Sequence, residues 1–294
     1  MDLTLRTDYW DDPGAKATFK RFMVEIFGLD LGRWEAAGCW DPAYHPFSFF
    51  HQDEVVSNVC LYLLEAVIKG RRTQLAQISS VATLPAWRGR GLNRELTGKA
   101  LDWARGKQEG IFLFADEEAV PFYRKCGFRP IEEYLQTLAV EPAAPRVGAV
   151  KLDPGKKQVR EKIFAAAGRR APLSSRFSVM NANLVMFHAL YGLRDDLYEI
   201  PNLDCLIFCR RREGRLSLFD IIGRRIPPFK ELYPYLADRA DTLVEFHFFT
   251  DRFGLEETAI RPLRGNHPFV MGSFPVSRPV FPYTSRAGLQ ATFR

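Results

Sequence analysis

The stretch 75–128 constrains this chain more than any other. It opens with a mostly apolar run, 78–84, passes Pro85, and turns through Trp87-Arg88-Gly89-Arg90-Gly91-Leu92-Asn93-Arg94. A helical period follows over 90–105, because Leu92, Leu96, Ala100 and Trp103 recur at spacings of three and four and place one apolar stripe on one face. Strand, glycine-rich turn and helix together make an anion site. Glycine lets the backbone approach closely, the first-turn N–H groups lack an intrahelical acceptor, and the helix dipole favours negative charge there. Arg88, Arg90 and Arg94 add full positive charges beside those amides. The turn reads as a cradle for a diphosphate.

Three kinds of phosphate-binding turn compete for this stretch. A P-loop needs GxxxxGK[ST], and the lysine and hydroxyl are missing. A dinucleotide fingerprint needs GxGxxG, and Arg94 stands where the third glycine belongs. The third is an acyl-CoA cradle. Arg88-Gly89-Arg90-Gly91-Leu92-Asn93 matches the motif [QR]-x-x-G-x-[GA] except at Asn93, and Val81-Ala82-Thr83-Leu84-Pro85 is similar to the strand end that precedes that motif. Further on, Ala119-Val120-Pro121-Phe122-Tyr123-Arg124-Lys125-Cys126-Gly127-Phe128 carries every anchor of A-x-x-F-Y-x-K-x-G-F. Both motifs, in this order, resemble the GNAT N-acetyltransferase superfamily.

The resemblance implies a mixed-sheet α/β acyltransferase fold, acetyl-CoA as cofactor, and a primary amine on a small molecule or peptide as acceptor. It implies that the backbone of Val81, Ala82 and Thr83 holds the pantetheine arm and thioester carbonyl. Arg88, Gly89, Arg90, Gly91, Leu92, Asn93 and Arg94 would hold the diphosphate. Tyr123 takes the position of the general acid; a phenol titrating near pH 10 can donate to an emerging thiolate while staying neutral beforehand. Glu117 stands where the family often has a cofactor-contacting asparagine. The general base stays open: one branch of the family has a glutamate where this chain has Gln77, which leaves a water relay or Glu65, Asp116 or Glu117. The aromatic segment 28–46, with Trp34, Trp40 and Tyr44, would line the acceptor pocket.

Periodicity places the remaining elements. Strand 3–6, helix 15–27, hairpin 47–50/55–68, strand 73–82, helix 90–105, strand 111–115, a short helix at Tyr123 and strand 133–140 complete a first domain, residues 1–145. Pro142, Pro145, Gly148, Pro154 and Gly155 mark a linker, 146–157. Residues 158–294 read as a second unit: helix 158–167, an apolar run 177–191, strands 205–210 and 215–222, helix 228–236, and strands 244–249 and 267–271. This echoes the first half without its GxG turn, since Ile222-Gly223-Arg224-Arg225-Ile226-Pro227-Pro228 sits where a second cradle would fall, and its prolines remove helix-start donors. The expectation is a tandem of GNAT-like domains, the second degenerate. The tail 275–294 has no helical or strand period.

Composition excludes several classes. Hydrophobic residues make up 47% of the 294 and aromatics 13%, which is globular rather than disordered. No apolar run reaches a membrane span and residues 1–4 lack a leader's basic start, so a cytoplasmic protein, monomer or homodimer, is expected. Five cysteines follow neither a disulfide nor a zinc spacing, and the five histidines form no metal motif. The net charge of +6 is spread over Arg71-Arg72, Arg169-Arg170, Arg210-Arg211-Arg212 and Arg224-Arg225, which read as solvated turns rather than a nucleic-acid face. An N-acetyltransferase is the leading reading and a non-catalytic acyl-CoA-binding sensor the alternative.

Overall fold

Pairing partners, more than local propensity, decide the architecture of this chain. A computed structural model describes residues 2–9, 11–265, 267–272 and 274–288. Its strands are β1 (Thr4–Thr7), β2 (Tyr44–His51), β3 (Glu54–Ile68), β4 (Arg71–Thr83), β5 (Gly110–Ala115), β6 (Arg129–Pro130), β7 (Tyr134–Ala139), β8 (Val150–Lys151), β9 (Phe177–Val179), β10 (Leu197–Ile200), β11 (Cys205–Arg212), β12 (Arg215–Gly223), β13 (Leu243–Phe246), β14 (Ala259–Pro262) and β15 (His267–Met271). Its helices are α1 (Pro13–Phe27), α2 (Gly32–Ala36), α3 (Leu92–Ala104), α4 (Val120–Lys125), α5 (Lys157–Ala167), α6 (Ala182–Leu190) and α7 (Phe229–Leu236).

The described chain divides into two compact units, 2–64 with 74–131 and 267–275, and 65–73 with 132–265 and 276–288. In the first, the strand order is β1-β2-β3-β4-β5-β15-β6, and in the second it is β8-β10-β11-β12-β13-β7-β14. The two orders correspond position by position. Each begins with antiparallel neighbours, β1–β2–β3 and β8–β10–β11. Each then has one parallel pair, β4–β5 and β12–β13, joined by a helical crossover, α3 and α7. Beyond the parallel pair each takes an antiparallel strand, β15 on β5 and β7 on β13, and a short outer strand. The protein is thus mixed α/β with two mixed sheets.

Two strands lie in sheets other than those expected. Strand 133–140, read as the end of the first domain, is β7 and pairs with β13 and β14 of the second sheet. Strand 267–271, read as part of the second unit, is β15 and pairs with β5 and β6 of the first. The alternation within a strand sets which faces are apolar, not which edge it joins. Within the proposed linker, β8 pairs with β10. The apolar run 177–191 is not one element: β9 pairs with residues 66–68 of β3, a turn follows, and α6 begins at Ala182.

In the first unit, α3 lays Leu92, Leu96, Ala100 and Ala104 on a core with Phe47, Val59, Leu61, Leu113, Tyr123 and Phe269. Each such leucine contributes roughly 1.5–3 kcal/mol. Asp12 caps α1 by accepting from the Ala15 N–H at 3.0 Å, and Gly28 ends it in the left-handed region at φ +63°.

In the second unit a core of Ile207, Leu218, Ile221, Leu232, Val244 and Phe246 lies under α7. Here three of the arginines read as solvated turn residues form ion pairs, although Arg210 is only half-buried and Arg211 is exposed. Arg170 is buried and doubly bonded to Asp220, Arg210 pairs with Asp196 at 2.5 Å, and Arg211 with Asp241 at 2.7 Å. Part of the tail, 279–286, is internal too: Val280, Phe281, Tyr283 and Arg286 are buried, Arg286 pairs with Glu133, and Thr284 donates to Asp220. Residues 289–294 lie outside the described residues. Among the described residues no helix is long and apolar enough to cross a membrane.

Candidate active site

The β4–β5 ladder runs only from Leu75–Gly110 to Ile78–Leu113. The last residues of β4, Ser79–Thr83, continue beyond that pairing, and their strand partner is β3, to which Leu84 N–H donates at Val56 O, 2.9 Å. Val81 and Thr83 are half-buried and Ala82 is buried. A 3-10 turn, Pro85–Trp87, then leads into the glycine turn.

Gly89 and Gly91 both hold left-handed conformations, φ +76° and +77°, and an added Cβ would meet nothing within 4 Å at either. The glycines are there for backbone shape, and they leave open space in front of it. Gly91 is the N-cap of α3. Among the described residues, no acceptor takes the N–H of Gly91, Leu92, Asn93 or Arg94. The Leu92 side chain is in the core, so this residue offers the turn only its N–H.

The arginines divide. Arg88 Nε donates to Thr83 O at 3.2 Å; Arg90 donates to Ala86 O at 3.1 Å and lies 4.8 Å over the Trp87 ring. These two brace the turn while their exposed heads keep it positive. Arg94 points outward, lining a groove of about 460 Å3 with Gly91, Glu95, Gly98, Lys99 and Asp102 along the exposed face of α3.

Asn93, the departure from the motif, does not fill the cradle. Its Oδ1 accepts from Ser57 Oγ at 2.7 Å, and Ser57 Oγ lies 2.8 Å from Thr83 Oγ1. A single hydroxyl proton on Ser57 serves Asn93, so Thr83 donates to Ser57. Ser57 therefore ties the end of β4 to the start of α3. Sequence reading missed it, since one serine in the apolar strand Val55–Ile68 gives no signal without its partner.

Tyr123 is on α4, 6% exposed, edge-on to Phe122 and Phe128 and tilted against Phe269. It shares its core with Leu92, Val81 and Leu84. Burial raises its pKa well above that of an ordinary phenol, with the Cys126 thiol and the Asp116 carboxylate pushing the same way. Among the described residues no hydrogen bond engages its hydroxyl, and that oxygen is not one of the sealed polar atoms. It is a protonated donor with its hydrogen uncommitted.

The other expected residues behave differently. Gln77 is buried in β4. Asp116 caps the 3-10 turn Glu117–Ala119 through its backbone, and Glu117 is exposed, its carboxylate in no hydrogen bond or ion pair among the described residues. Glu65 is an exposed side chain on the part of β3 that belongs to the second unit. Trp34, Trp40 and Tyr44, expected to line an acceptor pocket, are buried against one another and against Phe19 and Tyr62. His45 stacks on Trp103 at 4.3 Å and pairs with Asp8 at 2.5 Å; burial lowers its pKa, the Asp8 charge opposing. No His/Cys/Asp/Glu group suited to a metal occurs among the described residues.

The glycine turn thus follows the free end of β4, and a buried tyrosine stands on the helix after β5. Residues 6–128 match the sequence model of the Acetyltransferase (GNAT) family. No curated protein sequence matches it. Among solved structures it is similar in fold to a conserved protein of unknown function from Enterococcus faecalis described as a probable N-acyltransferase, with TM-score 0.60, 13% identity, and 92% of this chain and 72% of that one covered. It is similar also to a GCN5-related N-acetyltransferase from Kribbella flavida (0.52, 17%, 92% and 71%) and to Eis1 from Mycobacterium abscessus (0.52, 17%, 92% and 73%).

Proposed function

We propose that the first unit is an acetyl-CoA-dependent N-acetyltransferase acting on a primary amine. The observation that carries this reading is the turn Gly89–Arg94: two left-handed glycines, open space before them, unclaimed N–H groups and arginine charge, directly after a strand end without a β5 partner. These features suit a diphosphate on a narrow arm. Acetyl-CoA, when bound, supplies an acetyl group activated as a thioester. Gly91, Leu92, Asn93 and Arg94 offer backbone donors to its diphosphate, and Arg88, Arg90 and Arg94 neutralise charge there. Val81 and Thr83 offer the backbone of β4 to the arm. The Tyr123 hydroxyl keeps its proton at neutral pH and can give it to a departing thiolate. Gln77 takes no proton, so the proton lost by the amine goes to water or to Asp116, whose charge the phenol feels.

The second unit repeats the strand order of the first, which supports a duplicated acetyltransferase-like domain. Its turn supports loss of the cofactor site. Gly223 is not left-handed, a Cβ there would lie 3.1 Å from the Asp204 and Arg225 carbonyls, and Phe253 O already takes the Phe229 N–H that opens α7.

Calorimetric titration of the full chain with acetyl-CoA tests both statements. One site per chain is expected; two would overturn the degenerate second unit, and none would overturn the enzyme. The buried Gln77 favours the sensor as a second reading. Release of free thiol in the presence of a panel of amines separates them, since a sensor releases none.

A further inference from the structure

Ser80 holds a left-handed backbone at φ +51°. A residue with a Cβ takes such a conformation only where its surroundings impose it, against about 1–3 kcal/mol. It lies between Ile78, the last residue of β4 paired with β5, and Val81. Its carbonyl and its hydroxyl are both held. Its carbonyl accepts from Asn58 Nδ2 at 2.8 Å, and its hydroxyl is 2.7 Å from the Tyr44 hydroxyl. Asn58 is fixed in turn: Ser48 Oγ donates to its Oδ1 at 2.6 Å, and Tyr9 OH, 2.7 Å from Ser48 Oγ, completes the chain. Ser48 and Asn58 are fully buried and Tyr9 nearly so. This line of side chains runs from the end of β1 across β2 and β3 to β4, at the level where β4 leaves β5.

Resting on the acyltransferase reading, we propose that Asn58 is a positioning residue for the cofactor: the Tyr9–Ser48–Asn58 chain clamps Ser80 in its left-handed turn, and that turn aims the Val81–Thr83 backbone away from the ladder and toward the bound arm. A buried polar chain that served stability alone would affect melting and nothing else. A clamp is different, because glycine at position 80 adopts positive φ without strain and bypasses it.

The test compares full-length wild type, Asn58→Ala and Asn58→Ala/Ser80→Gly by calorimetry with coenzyme A and by hydrogen exchange over 79–83. Asn58→Ala is expected to weaken coenzyme A binding about tenfold, the ratio set by ~1.4 kcal/mol, and to speed exchange at 81–83. The double variant recovers most of the affinity without recovering thermal stability. Wild-type affinity in a folded Asn58→Ala, or a double variant as weak as the single one, overturns the proposal. Should Asn58→Ala not fold, Tyr44→Phe decides, since it removes the bond to the Ser80 hydroxyl, together with that to the Cys60 thiol, and leaves Asn58 in place: about threefold weaker binding supports the clamp and no change overturns it. If wild type binds no coenzyme A, the acyltransferase reading falls and the cofactor role with it, whereas faster exchange at 81–83 in the variant still reports the clamp itself.

Discussion

Gly91 and Gly98 stand two turns apart on α3, and substituting each by alanine should move stability in opposite directions. An added Cβ meets nothing within 4 Å at either position, so no contact is made or lost. Gly98 is inside the helix with ordinary negative φ, where alanine gains about 0.5–1 kcal/mol. Gly91 is the N-cap at φ +77°, where a Cβ raises the backbone energy by about 1–2 kcal/mol. Restricting the unfolded chain offsets about 0.4–1 kcal/mol of that. Gly91→Ala should therefore lower stability by about 0.5–1 kcal/mol while Gly98→Ala raises it by a similar amount. All five tryptophans precede residue 104, and the four described belong to the first unit, so intrinsic fluorescence in a urea titration reads the unit that holds α3. The same Cβ at Gly91 would also stand before the unclaimed amides, and coenzyme A should bind Gly91→Ala at least about tenfold more weakly. Midpoints that shift in the same direction would refute the backbone argument.

Tyr123→Phe should reduce turnover by about 10²–10⁴-fold with coenzyme A affinity nearly unchanged, and a simple rate assay beside a titration checks it. Because burial raises the Tyr123 pKa, wild-type turnover should show no loss attributable to phenol ionisation below about pH 10. Asp220→Ala leaves Arg170 buried without its carboxylate and should cost about 3–5 kcal/mol, read as a lower melting temperature by circular dichroism; a change under 1 °C would count against a tightly formed pair. Burial above all holds His188 and His247 neutral, with pKa values lowered to about 4 and about 3. The unfolded chain protonates both near pH 6.5, so it binds more protons below that point, and stability should fall as pH drops from about 6.5 toward 4 and 3. His247→Phe should flatten the melting-temperature profile over that window, and an unchanged slope would show that His247 does not carry it.

The glycine turn and its helix were legible because their signal is local. Glycines that need positive φ, arginines beside them and a helical stripe from Leu92 to Trp103 all fall within one short stretch, and the structure sets Gly89, Gly91, α3 and the buried Tyr123 as that stretch suggests. What escaped sequence reading depends on distant partners. Ser57, Asn58 and Ser80 look like polar interruptions of apolar strands until Asn93, Ser48 and Tyr44 are brought to them. Arg170 follows another arginine and a glycine, a pattern that suits a solvated turn, and only the fold supplies Asp220 fifty residues away. The stretch 279–286 of the Pro- and aromatic-rich tail lacks any period because it is held by burial and by the Arg286–Glu133 pair rather than by a regular ladder.

The place of β15 bears on how the chain is made. A ribosome releases residues 1–131 long before it reaches His267, by roughly ten seconds at ordinary elongation rates. During that interval β5 has β4 on one side and lacks the neighbour that it finally pairs with along Ile111–Ala115. The nascent first unit thus waits with an open apolar edge, Ile-Phe-Leu-Phe-Ala, of the kind that recruits foreign strands. Its folding is completed only once His267–Met271 has been made. Anything that delays the ribosome between 132 and 266, or a frameshift within that span, should send the protein toward aggregation rather than toward a working half.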